Sequence, residues 1–450
     1  MSDSKRSKAV PKSRSSRLLR IAGMATGVAA SAVLEKGRQF ANGQSPKLKD
    51  LFLTPANAKR VTKQLGEMRG AAMKLGQIIS MEGEAIISPQ LAEILADLRA
   101  NATSMPATQL HAVMSEALGA KWRDKFASFA NTPIASASIG QVHRAISLDG
   151  ELLAIKVQYP GVADSIDSDV NNMATLLNIT RLVPKQIEIT SLLDDAKKLL
   201  HQEADYLTEA KYLAAFESAL KEDERFIVPK IHATLSSQKI LTMDYVDGAP
   251  IEGLVNESND IINQAMTSLI SLFLLELFDL KMMQTDPNFA NYRFQLSNDA
   301  GVKIGLLDFG ASQTYTSAFS DNYLDLVSAT IDGNDAQVLT AAKKLGYELE
   351  GSSLGYQQLV LDILYLALEP FSSNEDYDFA EAGLGTRVAD LAQESYAFKR
   401  DWTAPPTETL YVHRKLGGLY MLAERIGAKV NLSTLLAPYF DRKLPKQFST

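Results

Sequence analysis

The spacing of hydrophobic residues changes from a helical to a strand-like period within the first third of the chain. From about Pro46 to Trp122, apolar residues recur three and four positions apart, which predicts helices. Beyond about Asn131 they alternate, and the segments IGQVHRAISL and ELLAIKVQY flank Asp149-Gly150, a dipeptide that favours a tight turn. The pattern therefore predicts a helical segment followed by a β-hairpin.

The rest of the chain mixes both periods. A helical pattern from about Val162 to Leu220 precedes two strand-like segments, RFIVPKIHATL and QKILTMDYV. Beyond Gly248 the pattern is mainly helical, interrupted by NYRFQL and VKIGLLD, which predict a second hairpin. The predicted fold class is α+β. The predicted divisions are a basic leader with a short apolar helix (1–45), a helical segment (46–130), a sheet-rich lobe (131–247) and a helical lobe (248–450).

One helical segment, MTSLISLFLLELFDLKMM, is apolar enough to suggest a membrane span. Glu276 and Asp279 interrupt it, and charged side chains in lipid are costly. We therefore expect a helix buried within the larger lobe.

The helix predicted from LLDDAKKLLHQEADYLTEAKYLAAF carries several acids. Its apolar stripe places Glu203 where a leucine would be expected, whereas Asp205 and Glu209, four apart, share another face. A straight helix cannot direct Glu203 and Glu209 at the same lysine. Either the two acids have separate roles, or Glu203 is a tolerated glutamate at the edge of the stripe.

Composition narrows the class of protein. A chain of 450 residues with 46% hydrophobic content can fill more than one core. A net charge of −7 argues against a nucleic-acid partner, and the absence of cysteine excludes disulfides and thiol catalysis.

The first twenty residues are rich in Lys, Arg and Ser, which predicts a disordered basic tail. The uncharged stretch that follows, IAGMATGVAASAVL, is shorter than the roughly 20 residues of a membrane-spanning helix. Three interpretations stay open: a buried helix, a helix resting on an anionic membrane, and a mitochondrial presequence.

Four polar residues supply the groups that phosphoryl transfer needs, and they occur along the chain in the order of the kinase motifs. Lys156 lies within the strand LLAIKVQY, Asp286 and Asn291 form a D-x-x-x-x-N sequence, and Asp308 begins D-F-G after an apolar run. Singly, each has an ordinary explanation, such as an edge lysine or an aspartate in a turn. Together they predict that Lys156 contacts phosphates, that Asn291 and Asp308 bind Mg²⁺, and that Asp286 orients or deprotonates an acceptor.

The phosphate-binding loop departs from the glycine-rich pattern. Ahead of the strand lysine the sequence reads PIASASIGQVH, so Ala135, Ser136, Ala137 and Ser138 stand where glycines would contact ATP. Met243 and Tyr245 are also expected to contact the nucleotide. Gln284-Thr285 replace His-Arg before Asp286, and no A-P-E follows the D-F-G.

These motifs resemble the UbiB (AarF-like) atypical kinases, most closely the mitochondrial-type ubiquinone-biosynthesis kinases and their bacterial relatives. The resemblance covers about residues 60 to 430 and rests on KLGQ, ASASIGQVHRA, AIKVQYPGVADSIDSDVNN, EADYLTEA, QTDPNFAN and LLDFGA. It implies a bilobal protein-kinase-like fold, with a helical N-terminal extension packed over the active site. Ser136 departs from the family's usual alanine, and its hydroxyl adds a hydrogen-bond donor near the phosphates.

The resemblance also implies roles for further residues. Lys74 and Gln77 of the K-x-G-Q motif would enter the site and meet Glu203 and Asp205, and Glu209 would pair with Lys156. The implied function is a Mg²⁺-dependent, ATP-binding kinase or ATPase that supports ubiquinone biosynthesis at an anionic membrane surface. Quinone precursors, other lipids and quinone-biosynthesis enzymes are the implied partners.

Two other functions stay open: an active protein serine/threonine kinase, and a nucleotide-binding scaffold for lipid-pathway enzymes. The expected location is the bacterial cytoplasm at the inner membrane, with the mitochondrial matrix as the alternative.

Overall fold

A computed structural model describes residues 104–137, 139–180, 189–297, 301–394, 398 and 406–441. The basic leader, Lys74, Gln77 and Ser138 lie outside the described residues, as does most of the predicted helical extension. The chain divides into a first unit, Met1–Lys211 with Lys230–Tyr245, and a second unit, Tyr212–Pro229 with Val246–Thr450. The domain boundaries drawn from the sequence stay predictions.

The first unit contains a five-stranded sheet in which β1, β3, β4 and β6 lie in that order and β2 pairs with β3. Its strands are β1 (Phe126–Phe129), β2 (Ala135–Ser136), β3 (Gly140–Ser147), β4 (Leu152–Gln158) and β6 (Ile240–Asp244). The pairing of β3 with β4 confirms the first predicted hairpin, and Gly150 in its turn has a φ of +89°. Central β4 is almost wholly buried, so its polar residues are held among apolar neighbours.

Four helices belong wholly or partly to this unit. They are α1 (Ala107–Leu118), α2 (Val162–Thr180), α3 (Ile189–Glu203) and α4 (Tyr206–Leu220). The predicted helical region is thus confirmed, but not as one continuous helix, because it is interrupted at Ala204 and Asp205. The division between the two units falls within α4.

The strand predicted from RFIVPKIHATL is wrong over most of its length. Only β5 (Phe226–Ile227) forms a strand, and the segment ends in a 3₁₀-helix at Ala233–Leu235. Pro229 has no N–H to donate, which disfavours an uninterrupted ladder here.

The second unit contains a four-stranded sheet in the order β5, β10, β9, β7. The antiparallel pair β9 (Tyr292–Ser297) and β10 (Gly301–Leu306) confirms the second predicted hairpin, and β7 is Ala249–Pro250. Two smaller sheets pair β8 (Met282–Gln284) with β11 (Ser312–Thr314), and β12 (Tyr377–Asp378) with β13 (Lys429–Val430).

Helices make up most of the second unit. They are α5 (Asn259–Leu274), α6 (Ser317–Ile331), α7 (Asp335–Lys344), α8 (Leu354–Leu368), α9 (Phe379–Ala382), α10 (Leu384–Glu394), α11 (Thr407–Ile426) and α12 (Leu432–Asp441). The apolar segment lies in α5 and in the π-helical turn that follows it, Leu275–Leu280. Among the described helices, Asn259–Leu280 is the one long and apolar enough to cross a membrane, with a mean hydropathy of 1.6. Its most apolar window is 61% buried, in agreement with a core helix.

Candidate functional site

Lys156 is held by a buried carboxylate in the first unit. Its Nζ lies 2.8 Å from Oε1 and 3.0 Å from Oε2 of Glu209, and both side chains are buried. The ammonium also lies 5.3 Å from the centroid of the Tyr206 ring, within cation–π range. A lysine on a central strand is thus aimed by an acid one helical turn into α4.

The interruption between α3 and α4 overturns the count of helical faces made from the sequence. Gln158 Nε2 donates to the Ala204 carbonyl oxygen at 2.9 Å, which uses a backbone acceptor at the break. Glu203 is the last residue of α3, and Glu209 lies on α4. The two acids therefore belong to different helices, and one straight stripe does not relate them.

Asp205 has a structural role at this break. Its Oδ1 accepts from the Thr208 backbone N–H at 3.1 Å and its Oδ2 from the Thr208 hydroxyl at 2.7 Å, which caps the start of α4. Burial acts to raise the pKa of Asp205, but the bonds from Thr208 and Leu207 and the charge of Lys211 outweigh it, so the pKa is lowered. Both carboxylate oxygens are thus engaged within the helix that they begin.

The expected nucleotide-binding loop lies at the edge of the sheet. Ala135 and Ser136 form the exposed strand β2, and the Ala137 N–H donates to the Gly140 carbonyl oxygen at 2.9 Å. Gly140 permits close approach of its neighbours, because a Cβ there would lie 2.5 Å from the Val157 carbonyl oxygen and 2.8 Å from the Tyr206 hydroxyl.

Met243 and Tyr245 lie at and just beyond the end of β6. Met243 is buried opposite Ala154 of β4. The Tyr245 N–H donates to the Leu152 carbonyl oxygen at 2.9 Å, and its ring lies 5.1 Å from the Arg144 guanidinium.

The D-x-x-x-x-N segment of the second unit is a compact turn. Asn288 Oδ1 accepts from the Ala290 N–H at 3.1 Å and begins a 3₁₀-helix at Phe289–Asn291. Asn291 Nδ2 donates to the Asp286 carbonyl oxygen at 3.4 Å, which orients the carboxamide. The turn thus fixes Asp286 and Asn291 relative to each other.

Asp308 is joined to this turn through the backbone. The Leu307 N–H donates to the Asn291 carbonyl oxygen at 2.9 Å, and Asp308 Oδ1 accepts from the Gly310 N–H at 3.0 Å. Phe309 is buried against Phe216, with ring centroids 4.8 Å apart.

Asn291 and Asp308 line one small cavity of the second unit. A carboxamide oxygen and a carboxylate are hard donors of the kind that Mg²⁺ takes when phosphates and water supply its other ligands. The donor set therefore fits a magnesium ion.

Each unit thus brings together part of the predicted set. The first holds Lys156 and Glu209 in contact, with Glu203 and Asp205 at the adjoining helix break. The second holds Asp286, Asn291 and Asp308 around one turn.

One buried ion pair of the second unit was not predicted from the sequence. Lys415 Nζ on α11 donates to Glu276 Oε2, and both residues line the same cavity as Asn291 and Asp308. Burial raises the pKa of Glu276 and lowers that of Lys415, and each partner's charge opposes that shift. A signal existed, because Lys415 falls within the buried stripe of α11.

Comparison with known proteins identifies the family of this chain. Residues 97–342 match the ABC1 atypical kinase-like domain. Atypical kinase COQ8B, mitochondrial, of Rattus norvegicus is 35% identical over 98% of this chain and 83% of that protein. Atypical kinase COQ8, mitochondrial, of Saccharomyces cerevisiae is 35% identical over 98% of this chain and 88% of that protein.

A solved structure, the erythromycin complex of Rv3197 from Mycobacterium tuberculosis, superposes with a TM-score of 0.57 at 27% identity, over 85% of this chain and 95% of that one. A kinase-like fold implies nucleotide binding. The predicted UbiB/AarF resemblance and the predicted α+β, protein-kinase-like fold are confirmed: this chain belongs to the ABC1 atypical kinase family.

Proposed function

We propose that this protein is a Mg²⁺-dependent, ATP-binding atypical kinase or ATPase that supports ubiquinone biosynthesis. The observation that carries the proposal is the two-oxygen contact of Glu209 with Lys156, at 2.8 and 3.0 Å. Kinase-like enzymes use a strand lysine held by a helix glutamate to bind ATP phosphates. Membership of the family and its COQ8 relatives supports the pathway.

Lys156 supplies a positive charge that stays aimed because Glu209 is itself buried. The contact with Glu209 restricts the Lys156 side chain before the nucleotide binds. Less conformational entropy is therefore lost when Lys156 contacts a phosphate oxygen. Glu209 acts through Lys156 and is a positioning residue.

Asn291 and Asp308 are the proposed metal ligands. When bound, Mg²⁺ neutralises charge that develops on the transferring phosphoryl group. The carboxylate of Asp286 orients the acceptor hydroxyl or water and accepts its proton. Asn291 Nδ2 already donates to the Asp286 carbonyl oxygen, which leaves the amide oxygen as the metal donor.

The remaining site residues are proposed to bind the nucleotide or to block the acceptor region. Backbone groups at Ala135, Ser136, Ala137 and Ser138 contact phosphates, and Met243 and Tyr245 contact the nucleotide base. Lys74 and Gln77 lie outside the described residues, and we propose that they block the acceptor region. Glu203 and Asp205 are the proposed partners of Lys74, and both oxygens of Asp205 also accept bonds from Thr208.

Quinone precursors, other lipids and quinone-biosynthesis enzymes are the proposed partners, at an anionic membrane surface. The relatives from rat and yeast are described as mitochondrial. Their descriptions favour the mitochondrial alternative over the bacterial inner membrane.

ATP hydrolysis by the full chain tests the proposal. We expect Mg²⁺-dependent turnover in the wild type and a loss of about a hundredfold or more in Asp308→Asn, the scale of removing one preorganised electrostatic group. Asp332→Asn, at an exposed aspartate of the second unit, is the matched control and should retain turnover. A wild type without turnover would favour the scaffold, and equal turnover in Asp308→Asn would remove Asp308 from the metal site.

A complementation assay tests the pathway. In a strain whose own gene of this family is deleted, the wild-type chain should restore quinone content and Asp308→Asn should not. If both chains restored quinone content, the role in ubiquinone biosynthesis would not depend on Asp308.

A further inference from the structure

Helix α11 approaches the segment that carries Asp286 directly at Gly418 and, through Glu276, at Lys415. Lys415 and Gly418 are three residues apart and therefore neighbours on the helix surface. Lys415 pairs with Glu276, and a Cβ placed on Gly418 would collide with Pro287, the residue after Asp286. The absence of a side chain at Gly418 lets α11 approach this segment closely.

Glu276 links the first contact to the same segment. Its Oε1 accepts a long hydrogen bond of 3.5 Å from the Gln284 backbone N–H, two residues before Asp286. Its side chain is 1% exposed and that of Lys415 is 3% exposed. The ion pair is thus shielded from solvent, and its position is set by the protein on all sides.

The backbone around Glu276 departs from regular helix geometry. Leu275–Leu280 is a π-helical turn, and Lys281 directly after it has a φ of +50°. Lys281 is the one non-glycine residue with positive φ in the described part of the chain. Distortions of both kinds concentrate at functional sites, where they direct particular side chains.

Gln284 connects this region to the metal ligands. Its side chain lines the cavity that Asn291 and Asp308 also line. Gln284 is 6% exposed, and neither of its amide atoms has a hydrogen-bond partner among the described residues. A buried amide of this kind is costly, which points to a polar group of the working site as its partner.

We propose that Glu276, Lys415 and Gly418 are positioning residues that hold the segment Gln284–Asn291, and with it Asp286 and Asn291, in reactive geometry. The inference deepens the proposed function and rests on it. A buried ion pair is a weak source of stability, because desolvation offsets most of its attraction. Its contact with the segment accounts for its place in the cavity that Asn291 and Asp308 also line.

Two adjacent glycines of α11 provide a matched test in the full chain. Gly418→Ala adds one methyl group against Pro287, whereas Gly417→Ala meets nothing within 4 Å. We expect Gly418→Ala to lower kcat for ATP hydrolysis by about tenfold to a hundredfold, because displacement by about 1 Å has effects of that size. The Kd for ADP measured without Mg²⁺ should change by less than about twofold, because Asp286 acts on the acceptor and Asn291 acts on the metal. Gly417→Ala should match the wild type in both.

Hydrogen exchange gives a readout that does not depend on turnover. The peptide that contains residues 282–291 should exchange faster in Gly418→Ala than in Gly417→Ala or the wild type. Equal exchange and equal kcat in the two variants would overturn the inference. A wild type without turnover, in which the exchange difference is still seen, would overturn the proposed function alone.

A second pair of variants tests the inference if Gly418→Ala does not fold. Glu276→Leu with Lys415→Met replaces the ion pair by apolar side chains of similar size, a change that is often neutral for stability. Because the Gln284 N–H then loses its acceptor, kcat should fall about tenfold. Glu276→Gln with Lys415→Met keeps an acceptor oxygen at the same place and should recover most of the lost kcat. Equal kcat in the two double variants would contradict the positioning role.

Discussion

Lys156 Nζ contacts both carboxylate oxygens of Glu209 across 53 positions of sequence. The side chains of Lys156 and Glu209 are 8% and 1% exposed, so each charged group is stabilised by the other and not by water. The strand that carries Lys156 is the central, most buried strand of its sheet. This contact is the firmest link between the fold of the first unit and the proposed chemistry.

Removal of one partner should destabilise the protein strongly. Lys156→Met leaves Glu209 buried without its cation, and we expect the free energy of unfolding to fall by about 3–5 kcal/mol. Lys239→Met breaks the exposed pair of Lys239 with Glu116 in the same unit and should cost less than about 1 kcal/mol. Urea denaturation measures both.

The double variant Lys156→Met/Glu209→Leu separates stability from function. It should regain most of the stability lost in Lys156→Met yet bind ATP weakly. Recovery of ATP affinity together with stability would argue that Lys156 does not contact the nucleotide.

Gly140→Ala should be more damaging than a substitution at the turn of the same hairpin. Its Cβ would lie 2.5 Å from the Val157 carbonyl oxygen, so strand β4 must shift. We expect a loss of about 2 kcal/mol or more, on the scale of an overpacked core, together with weaker ATP binding.

Gly150→Ala is the matched comparison, because a Cβ there meets nothing within 4 Å and only the φ of +89° is strained. That strain costs about 1–2 kcal/mol and should leave ATP affinity unchanged. Thermal denaturation and nucleotide titration measure the two effects. A smaller loss in Gly140→Ala than in Gly150→Ala would contradict the close packing around Lys156.

Asp205 should contribute stability that depends on pH. Its pKa is lower in the folded protein than in the unfolded chain, so the ionised carboxylate is the form that stabilises. The contribution is complete at pH values above the unfolded pKa of about 4, and it is lost as the pH falls through the lowered folded value.

We therefore expect Asp205→Ala to be less stable than the wild type by about 1 kcal/mol at pH 7, the usual value of a lost helix cap. The difference should shrink toward pH 3. The stability of Asp205→Ser, which can still cap the helix, should lie between those of the wild type and Asp205→Ala at pH 7. Urea denaturation at pH 7, 5 and 3 measures the trend, and a difference that grows as the pH falls would reverse the assigned sign.

Local patterns predicted the hairpins well. Alternating apolar residues around Asp149-Gly150 place β3 and β4 within a residue or two of their observed ends, because side-chain period and turn chemistry are local properties. The strand expected from RFIVPKIHATL failed because Pro229 interrupts it, so that β5 pairs with β10 and Ile231, beyond the proline, pairs with Met243. The prediction of one continuous helix through Glu203 was wrong, because α3 ends at Glu203 and α4 begins at Tyr206. Side-chain periodicity does not register a break of two residues that a distant amide, Gln158, helps to satisfy.

The motifs D-x-x-x-x-N and D-F-G were recognisable because their residues lie close together in sequence. The bonds that orient them, from Leu307 to Asn291 and within the turn at Asn288, are mostly local as well. Lys415 was missed because its partner, Glu276, lies 139 positions away. A lysine in an apolar stripe identifies a buried charge, but not the acid that it meets.

The sequence by itself determined the order of helices and strands, the acids and amides around Asp286, and membership of the family, since these depend on neighbouring residues and on the match of motifs in order. The resemblance implied the pair of Glu209 with Lys156, which the structure contains. The tertiary structure alone decided that Gln158 contacts the helix break at Ala204, and that Glu276 pairs with Lys415 in the cavity that Asn291 and Asp308 also line. Such contacts join residues far apart in the chain. They arise because burial leaves a charged group no water to contact, so that the fold must bring its partner to it.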